Sequence, residues 1–125
     1  MVPMRDGVRL ATDVFRLDGA EPGPVLLART PYNKEGIVAG SETFDVLRAV
    51  QAGYVVVVQD VRGRYASEGT FNPHIQETAD GVDMLAWTAV QPWSNGIAGM
   101  FGGSYLGEAQ WQPARERPPT LHAIA

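Results

Sequence analysis

A mostly parallel β-sheet with flanking helices, an α/β architecture, is predicted by three features of the 125-residue chain. The segment Tyr54-Val55-Val56-Val57-Val58-Gln59-Asp60 holds four consecutive valines without polar alternation. That is the habit of a strand covered on both faces, as parallel strands are. Residues 77–90 place Val82, Leu85, Ala86, Ala89 and Val90 at i, i+3, i+4, i+7 and i+8, one stripe of a helix. Residues 97–102, small and apolar, run directly into a helical segment beginning at Ser104. Strands alternating with helices favour a parallel sheet over a sandwich or a bundle.

The elements follow in order. Arg5-Asp6-Gly7-Val8 predicts a β-hairpin, because Asp-Gly supplies the positive φ angles of a two-residue turn, and residues 8–17 read as the strand that follows. Residues 18–23 are a Gly, Pro and acid loop. Residues 24–30 are a short apolar strand that Pro31 ends by holding Thr30 extended. Residues 33–40 read as loop. Ser41 is placed to cap a helix running to Gln51, with Phe44, Leu47 and Val50 on one side, and Gly53 stops it. Residues 61–73 form a loop, with Pro92 and Asn95-Gly96 terminating the helix after it. Pro113 must kink or end the helix from Ser104 to Arg115, Pro118-Pro119 breaks the chain, and residues 121–125 open another strand.

Composition narrows the function. The net charge is −4 and the Lys and Arg residues are scattered, so no basic footprint for nucleic acid is present. Arg62 and Arg64 read as a loop pair. The chain has no Cys, which excludes disulfides, thiolate catalysis and Cys-based zinc sites. His74 and His122 lack ligand spacing, so no metal and no cofactor is expected. No apolar run is long enough for a membrane span, and the charged N-terminus does not read as a signal peptide; a cytoplasmic location is the default expectation.

The strongest motif is Gly99-Met100-Phe101-Gly102-Gly103-Ser104-Tyr105-Leu106-Gly107. A strand enters it and a helix leaves it, the context of a nucleophile elbow. Such a turn is sharp enough to strain the serine's own backbone and needs small neighbours where strand and helix approach. The motif departs from G-x-S-x-G because the second glycine falls at 107. The competing reading is a glycine-rich turn whose serine merely caps the helix. A phosphate loop fails because Glu108 and Ala109 follow Gly107 where Lys and Ser or Thr are required, and a dinucleotide fingerprint fails because Ser104 stands at its middle glycine.

The segments Pro3 to Leu10, Arg29-Thr30-Pro31-Tyr32-Asn33-Lys34, Gln59-Asp60-Val61-Arg62-Gly63, Ser67-Glu68-Gly69-Thr70-Phe71 and Gly99 to Gly107 resemble the CocE/NonD hydrolases, the family of cocaine esterase and the Xaa-Pro dipeptidyl-peptidases. In that family the elbow reads G-x-S-Y-x-G, which accounts for the offset of Gly107. The resemblance implies an α/β-hydrolase domain with a Ser-Asp-His triad, a helical cap and a C-terminal β-sandwich. It implies Ser104 as nucleophile, the Tyr105 backbone N–H as one oxyanion donor and the Tyr32 hydroxyl as the other. It also implies an ester, amide or peptide as substrate. A loop after the equivalent strand does supply an oxyanion donor in this fold.

The triad's remaining members are not found here. They follow the serine in chain order, and His122 lies within a strand with no suitable acid before it. His74 precedes the serine and reads as structural. Asp60, at the end of a central strand, reads as a structural partner of Arg62. Trp87, Trp93 and Trp111 are candidates for an acyl pocket, with core packing preferred for Trp87. The chain is therefore expected to be the N-terminal portion, residues 1–125, of an incomplete catalytic domain. An esterase or acylase, a dipeptidyl-peptidase and a non-catalytic remnant all remain open.

Overall fold

The computed structural model describes residues 1–40 and 44–125. In chain order the elements are β1 (Val2–Pro3), β2 (Arg9–Leu10), β3 (Thr12–Phe15), β4 (Gly23–Thr30), α1 (Lys34–Gly40), α2 (Val46–Gln51), β5 (Val55–Asp60), α3 (Glu77–Ala89), β6 (Ser94–Met100), α4 (Tyr105–Ala114) and β7 (Leu121–Ile124). The valine run forms β5, buried along its whole length. A five-stranded sheet has the order β3-β5-β4-β6-β7, and β1 and β2 form a separate ribbon. Strands β5, β4, β6 and β7 are parallel, whereas β3 joins β5 antiparallel at one edge.

Side chains alternate between the faces of β4 and β5, so each strand feeds two cores. Val25, Leu27, Val55, Val57, Met84, Leu85, Ala98 and Met100 share one cluster; Ala28, Val56, Val58, Val46, Val50 and Leu106 share the other. Burying each valine, leucine or methionine among them contributes about 1.5–3 kcal/mol. Among the described residues no helix is long and apolar enough to cross a membrane.

Several expectations need correction. The hairpin turn has three residues rather than two: Gly7 N–H donates to Met4 O, Met4 N–H donates to Val8 O, and only Gly7 takes a positive φ, +86°. This is the longer hairpin in which glycine sits in the left-handed position of a bulge. The strand expected over residues 8–17 is two strands with different partners. Residues 34–40 are helix, not loop. Asn33 Oδ1 accepts Glu35 N–H and Asp60 Oδ1 accepts Lys34 N–H, so tertiary and local acceptors start a helix that two glycines make unattractive by propensity. The next helix begins at Val46, capped by Asp45, whose side chain accepts from Arg48 N–H. Val46 and Val50 are its buried residues, and Leu47 is 73% exposed; the proposed cap Ser41 lies outside the described residues. Strand β6 starts at Ser94, so Asn95-Gly96 lies inside it rather than before it.

The largest correction concerns α3. Ala86 and Val90 face solvent. The buried side carries Glu77, Asp80, Gly81, Met84, Leu85 and Thr88. The helix turns its carboxylates inward because two arginines await them. Arg29, on β4 and 1% exposed, donates from Nη1 to Glu77 Oε2 at 2.6 Å and from Nε to Gln59 Oε1 at 2.8 Å. Arg62 donates to both oxygens of Asp80 at 2.9 and 2.6 Å and to Asp6 at 2.7 Å. These neighbours hold the Arg62 guanidinium protonated, its pKa raised above the ordinary value chiefly by the bond to Asp80. Arg62 therefore does not pair with Asp60, and it is a buried strut rather than half of a loop pair with Arg64. Arg64 instead donates to Pro31 O and lies over the rings of Tyr65 and Phe71.

Helices α3 and α4 meet at Gly81, where an added Cβ would lie 2.7 Å from Pro113 Cγ. Pro113 is thus tolerated near the end of α4 and packs where only glycine leaves room. Gly81→Ala should lower the denaturant midpoint, with a cost of about 1–3 kcal/mol from overpacking outweighing the roughly 1 kcal/mol that helix propensity would add; a raised midpoint would contradict this packing. Arg29→Met should destabilise by about 3–5 kcal/mol, because Glu77 is left as an uncompensated buried charge. Equal unfolding free energies for variant and parent would show that the pair contributes nothing.

Candidate active site

Strand β6 ends at Met100, and four residues later the chain has reversed into α4. Ser104 stands at the apex with φ 59° and ψ −129°. A non-glycine residue held there stores about 1–3 kcal/mol, which persists only where the surroundings over-determine it. Two of the glycines do what the motif requires, whereas a Cβ at Gly103 would meet open space. Gly102 has φ +122°, and a Cβ there would fall 2.6 Å from Leu106 Cδ2. Gly107 comes close to Gly102 O, 3.4 Å from where its Cβ would be. The reading of Ser104 as a mere helix cap does not describe this geometry, since its side chain makes no capping hydrogen bond.

Instead the exposed Ser104 Oγ lies 3.2 Å from the hydroxyl of Tyr32. Tyr32 follows β4, the strand next to β6, and is 54% exposed. Its N–H donates to Thr30 Oγ1 at 3.0 Å, which fixes the turn by which the phenol leaves the sheet. The parallel arrangement of β4 and β6 therefore brings together, at their C-terminal ends, two hydroxyls 72 positions apart in the chain. Among the described residues the Tyr105 N–H, first in α4, has no acceptor. It is one of the free donors that a helix N-terminus leaves pointing outward.

Tyr105's side chain is anchored rather than free. Its hydroxyl donates to Glu77 Oε1 at 3.1 Å and accepts from His74 N–H at 3.3 Å. Burial pushes the phenol up to about 12, so it stays protonated in neutral solution. His74, at φ +69°, packs its ring 5.3 Å from that of Tyr105 and pairs through Nδ1 with Glu108 at 2.8 Å. His122 Nδ1 contacts Thr120 O. Neither histidine has a polar contact with Ser104 in the structure.

Beyond Tyr32 an apolar cleft of about 740 Å³ is lined by Leu26, Ile37, Phe44, Phe101 and Leu106, with the Phe44 and Phe101 rings stacked at 3.9 Å. No tryptophan lines it. Trp87 and Trp93 stack edge to face at 5.8 Å on the core behind β6, and Trp111 is exposed, so the three do not form a pocket beside the serine. Asp60 is a structural acceptor with burial raising its pKa, its Oδ1 occupied by Lys34 N–H. Among the described residues no group of three or more His, Cys, Asp or Glu is placed to hold a metal ion.

Sequence reasoning missed two contributors to the site. Gln110, 3% exposed, bridges the elbow to the backbone just past β7: its Nε2 donates to Gly102 O and its Oε1 accepts from Ala125 N–H. Glu77 reaches Tyr105 from α3. The available signals were a lone arginine inside the apolar run Val25-Leu26-Leu27-Ala28-Arg29 and two acids, Glu77 and Asp80, spaced to share one helix face.

The chain is 52% identical to cocaine esterase of Rhodococcus sp. (strain MB1 Bresler) across its whole length, covering 22% of that protein. It superposes with a TM-score of 0.89 at 32% identity on a CocE/NonD family hydrolase from Staphylococcus aureus, covering 98% of this chain and 26% of that one. An aminopeptidase from the marine sediment archaeon Thaumarchaeota archaeon matches with a TM-score of 0.85 at 32% identity, covering 99% and 24%. The fold is that of the α/β-hydrolases, and the chain spans about a quarter of the length of each of these three relatives. Since residues 6–125 match the model of the X-Pro dipeptidyl-peptidase (S15) family, this chain belongs to that family.

Proposed function

We propose that these residues are the N-terminal portion of the catalytic domain of a serine hydrolase that cleaves esters or amides through an acyl-enzyme. The observation that carries the reading is the 3.2 Å approach of the Tyr32 hydroxyl to Ser104 Oγ, at a serine held with φ 59°. Ser104 Oγ attacks the acyl carbon, and the carbonyl oxygen becomes an oxyanion. The Tyr105 N–H and the Tyr32 O–H donate to it, preorganised by the helix start and by the Thr30 bond. Donors already aimed at the developing charge need no reorganisation as it forms. Collapse expels the alcohol or amine and leaves acyl-Ser104, which water then hydrolyses. The base that takes the serine's proton, and the acid that orients it, are supplied by the rest of the protein in this reading. His74 is committed to Glu108 and His122 to a backbone carbonyl.

A second reading, removal of dipeptides ending in proline, is favoured by the family whose model matches. An Xaa-Pro p-nitroanilide and an activated ester such as p-nitrophenyl butyrate, offered to the same full-length protein, separate the two by relative kcat/KM.

Ser104→Ala in the full-length protein should remove turnover by a factor on the order of 10⁴–10⁶, as loss of a serine nucleophile does elsewhere, together with fluorophosphonate labelling. Labelling that survives the substitution would place the nucleophile elsewhere, and no labelling of the parent would favour a non-catalytic remnant. Tyr32→Phe should lower kcat by about 10²–10³, the effect of removing one oxyanion donor; unchanged turnover would eliminate the role assigned to its hydroxyl. Residues 1–125 alone should show little or no esterase activity, and robust, Ser104-dependent hydrolysis by that polypeptide would refute the need for further residues.

A further inference from the structure

We propose that the Tyr105 phenol is a positioning group: through Glu77 and Arg29 it locks the elbow's backbone N–H to β4, the strand that leads into Tyr32, and so sets the spacing of the two oxyanion donors. This inference rests on the roles given above to Ser104, Tyr105 and Tyr32, and it concerns side chains to which those roles assign nothing.

The strained apex at Ser104 needs neighbours that over-determine it, and the residue immediately after it is anchored through its side chain. Tyr105 is fixed from three sides. Its hydroxyl donates to Glu77 Oε1 and accepts from His74 N–H, and its ring packs against those of His74 and Phe71 at 5.3 and 6.0 Å. The two oxygens of Glu77 are divided between partners. Oε1 takes the phenol and Oε2 takes Arg29 Nη1 at 2.6 Å, while the same nitrogen also donates to the Glu77 carbonyl at 3.3 Å. Arg29 cannot drift, because its Nε is spent on Gln59 Oε1 of the adjoining strand β5 and its side chain is wholly enclosed. The next residue, Thr30, holds the Tyr32 N–H. A continuous path of hydrogen bonds and covalent links thus runs from Tyr105 through Glu77, Arg29 and Thr30 to Tyr32. The direct contact between the Tyr32 hydroxyl and Ser104 closes it into a ring.

The consequence follows from catalysis by preorganisation. Donors must sit within about 2.7–3.1 Å of the future oxyanion, and a displacement of about 1 Å can cost a hundredfold in rate. The N–H of Tyr105 is a main-chain group, so substitution of its own side chain leaves it in place. Only its orientation then depends on the tether. The high phenol pKa keeps the donated proton on oxygen across the working range. If the same contacts only pinned the loop before α3 onto α4, their loss would lower stability and leave the balance between ground-state and transition-state binding untouched.

Tyr105→Phe in the full-length protein separates the two roles, since it retains ring, backbone N–H and the Arg29–Glu77 pair. The readouts are kcat and KM for an activated ester and the inhibition constant of a boronic acid, which forms a tetrahedral adduct on the serine. Concentrations are counted by fluorophosphonate titration, so that any misfolded fraction drops out. Expected are a kcat about tenfold lower, less than the loss from deleting a donor outright, a KM within about twofold of the parent, and boronate affinity reduced by the same factor as kcat. A kcat and a boronate affinity both within twofold of the parent overturn the proposal. So does a variant whose only change is a lower melting midpoint, or whose KM rises as much as kcat falls. A parent that is not labelled at Ser104 overturns the hydrolase reading and this one with it. Labelling at Ser104 combined with unaltered Tyr105→Phe kinetics overturns this one alone.

Discussion

A guanidinium cannot be placed inside a sheet without counter-charge, and Arg29 of β4 has no route to water. Its enclosure obliges neighbouring elements to present acceptors: Gln59 from β5 and Glu77 from α3. A second arginine, Arg62, draws Asp80 from the same helix and Asp6 from the N-terminal hairpin. The angle at which α3 lies on the sheet is therefore set by paired charges as much as by Met84 and Leu85. Apolar packing tolerates sliding, whereas a buried ion pair tolerates little, because a misplaced charge loses its partner and keeps its desolvation cost.

That rigidity reaches the elbow. The helix face carrying Glu77 also carries Gly81, against which Pro113 of α4 packs. The helix that leaves the turn at Ser104 is thus held at both ends, by the Tyr105 phenol at its start and by the Gly81–Pro113 contact near its finish. Gln110 ties the middle of α4 back to Gly102 and to the backbone just past β7. Strain at Ser104 is sustained by this frame of hydrogen bonds and close packing around the apex. The hydroxyl it lifts out meets another, from Tyr32, delivered by the parallel neighbour of β6.

The parts of the candidate site are legible in the sequence, since they are carried by contiguous motifs. Strand, glycines, serine and helix occupy nine consecutive residues, and Tyr32 sits in a short segment directly after a strand. What escaped was the support. Glu77 and Asp80 look like solvated acids at the start of an amphipathic helix, and the apolar stripe through Val82, Ala86 and Val90 drew the buried face to the wrong side. Hydrophobic periodicity counts apolar residues and has no means of registering that a carboxylate is buried against an arginine 48 positions earlier. Asp60 and Arg62 were paired because they are near in sequence; the chain instead sends them to different partners, Lys34 N–H and Asp80.

Local chemistry in the sequence determined the valine strand inside the sheet, the alternation of strand and helix from Val55 onward, the end of β4 at Pro31 and the sharp turn at Ser104. Each depends on steric or burial preferences of residues within a few positions. Tertiary structure alone decided the helix at Lys34–Gly40, the face that α3 buries, the division of residues 8–17 between two sheets, and the meeting of Tyr32 with Ser104. These depend on partners supplied from distant segments. Which acceptor a buried donor finds is a question of where strands lie side by side, and no local preference encodes that adjacency.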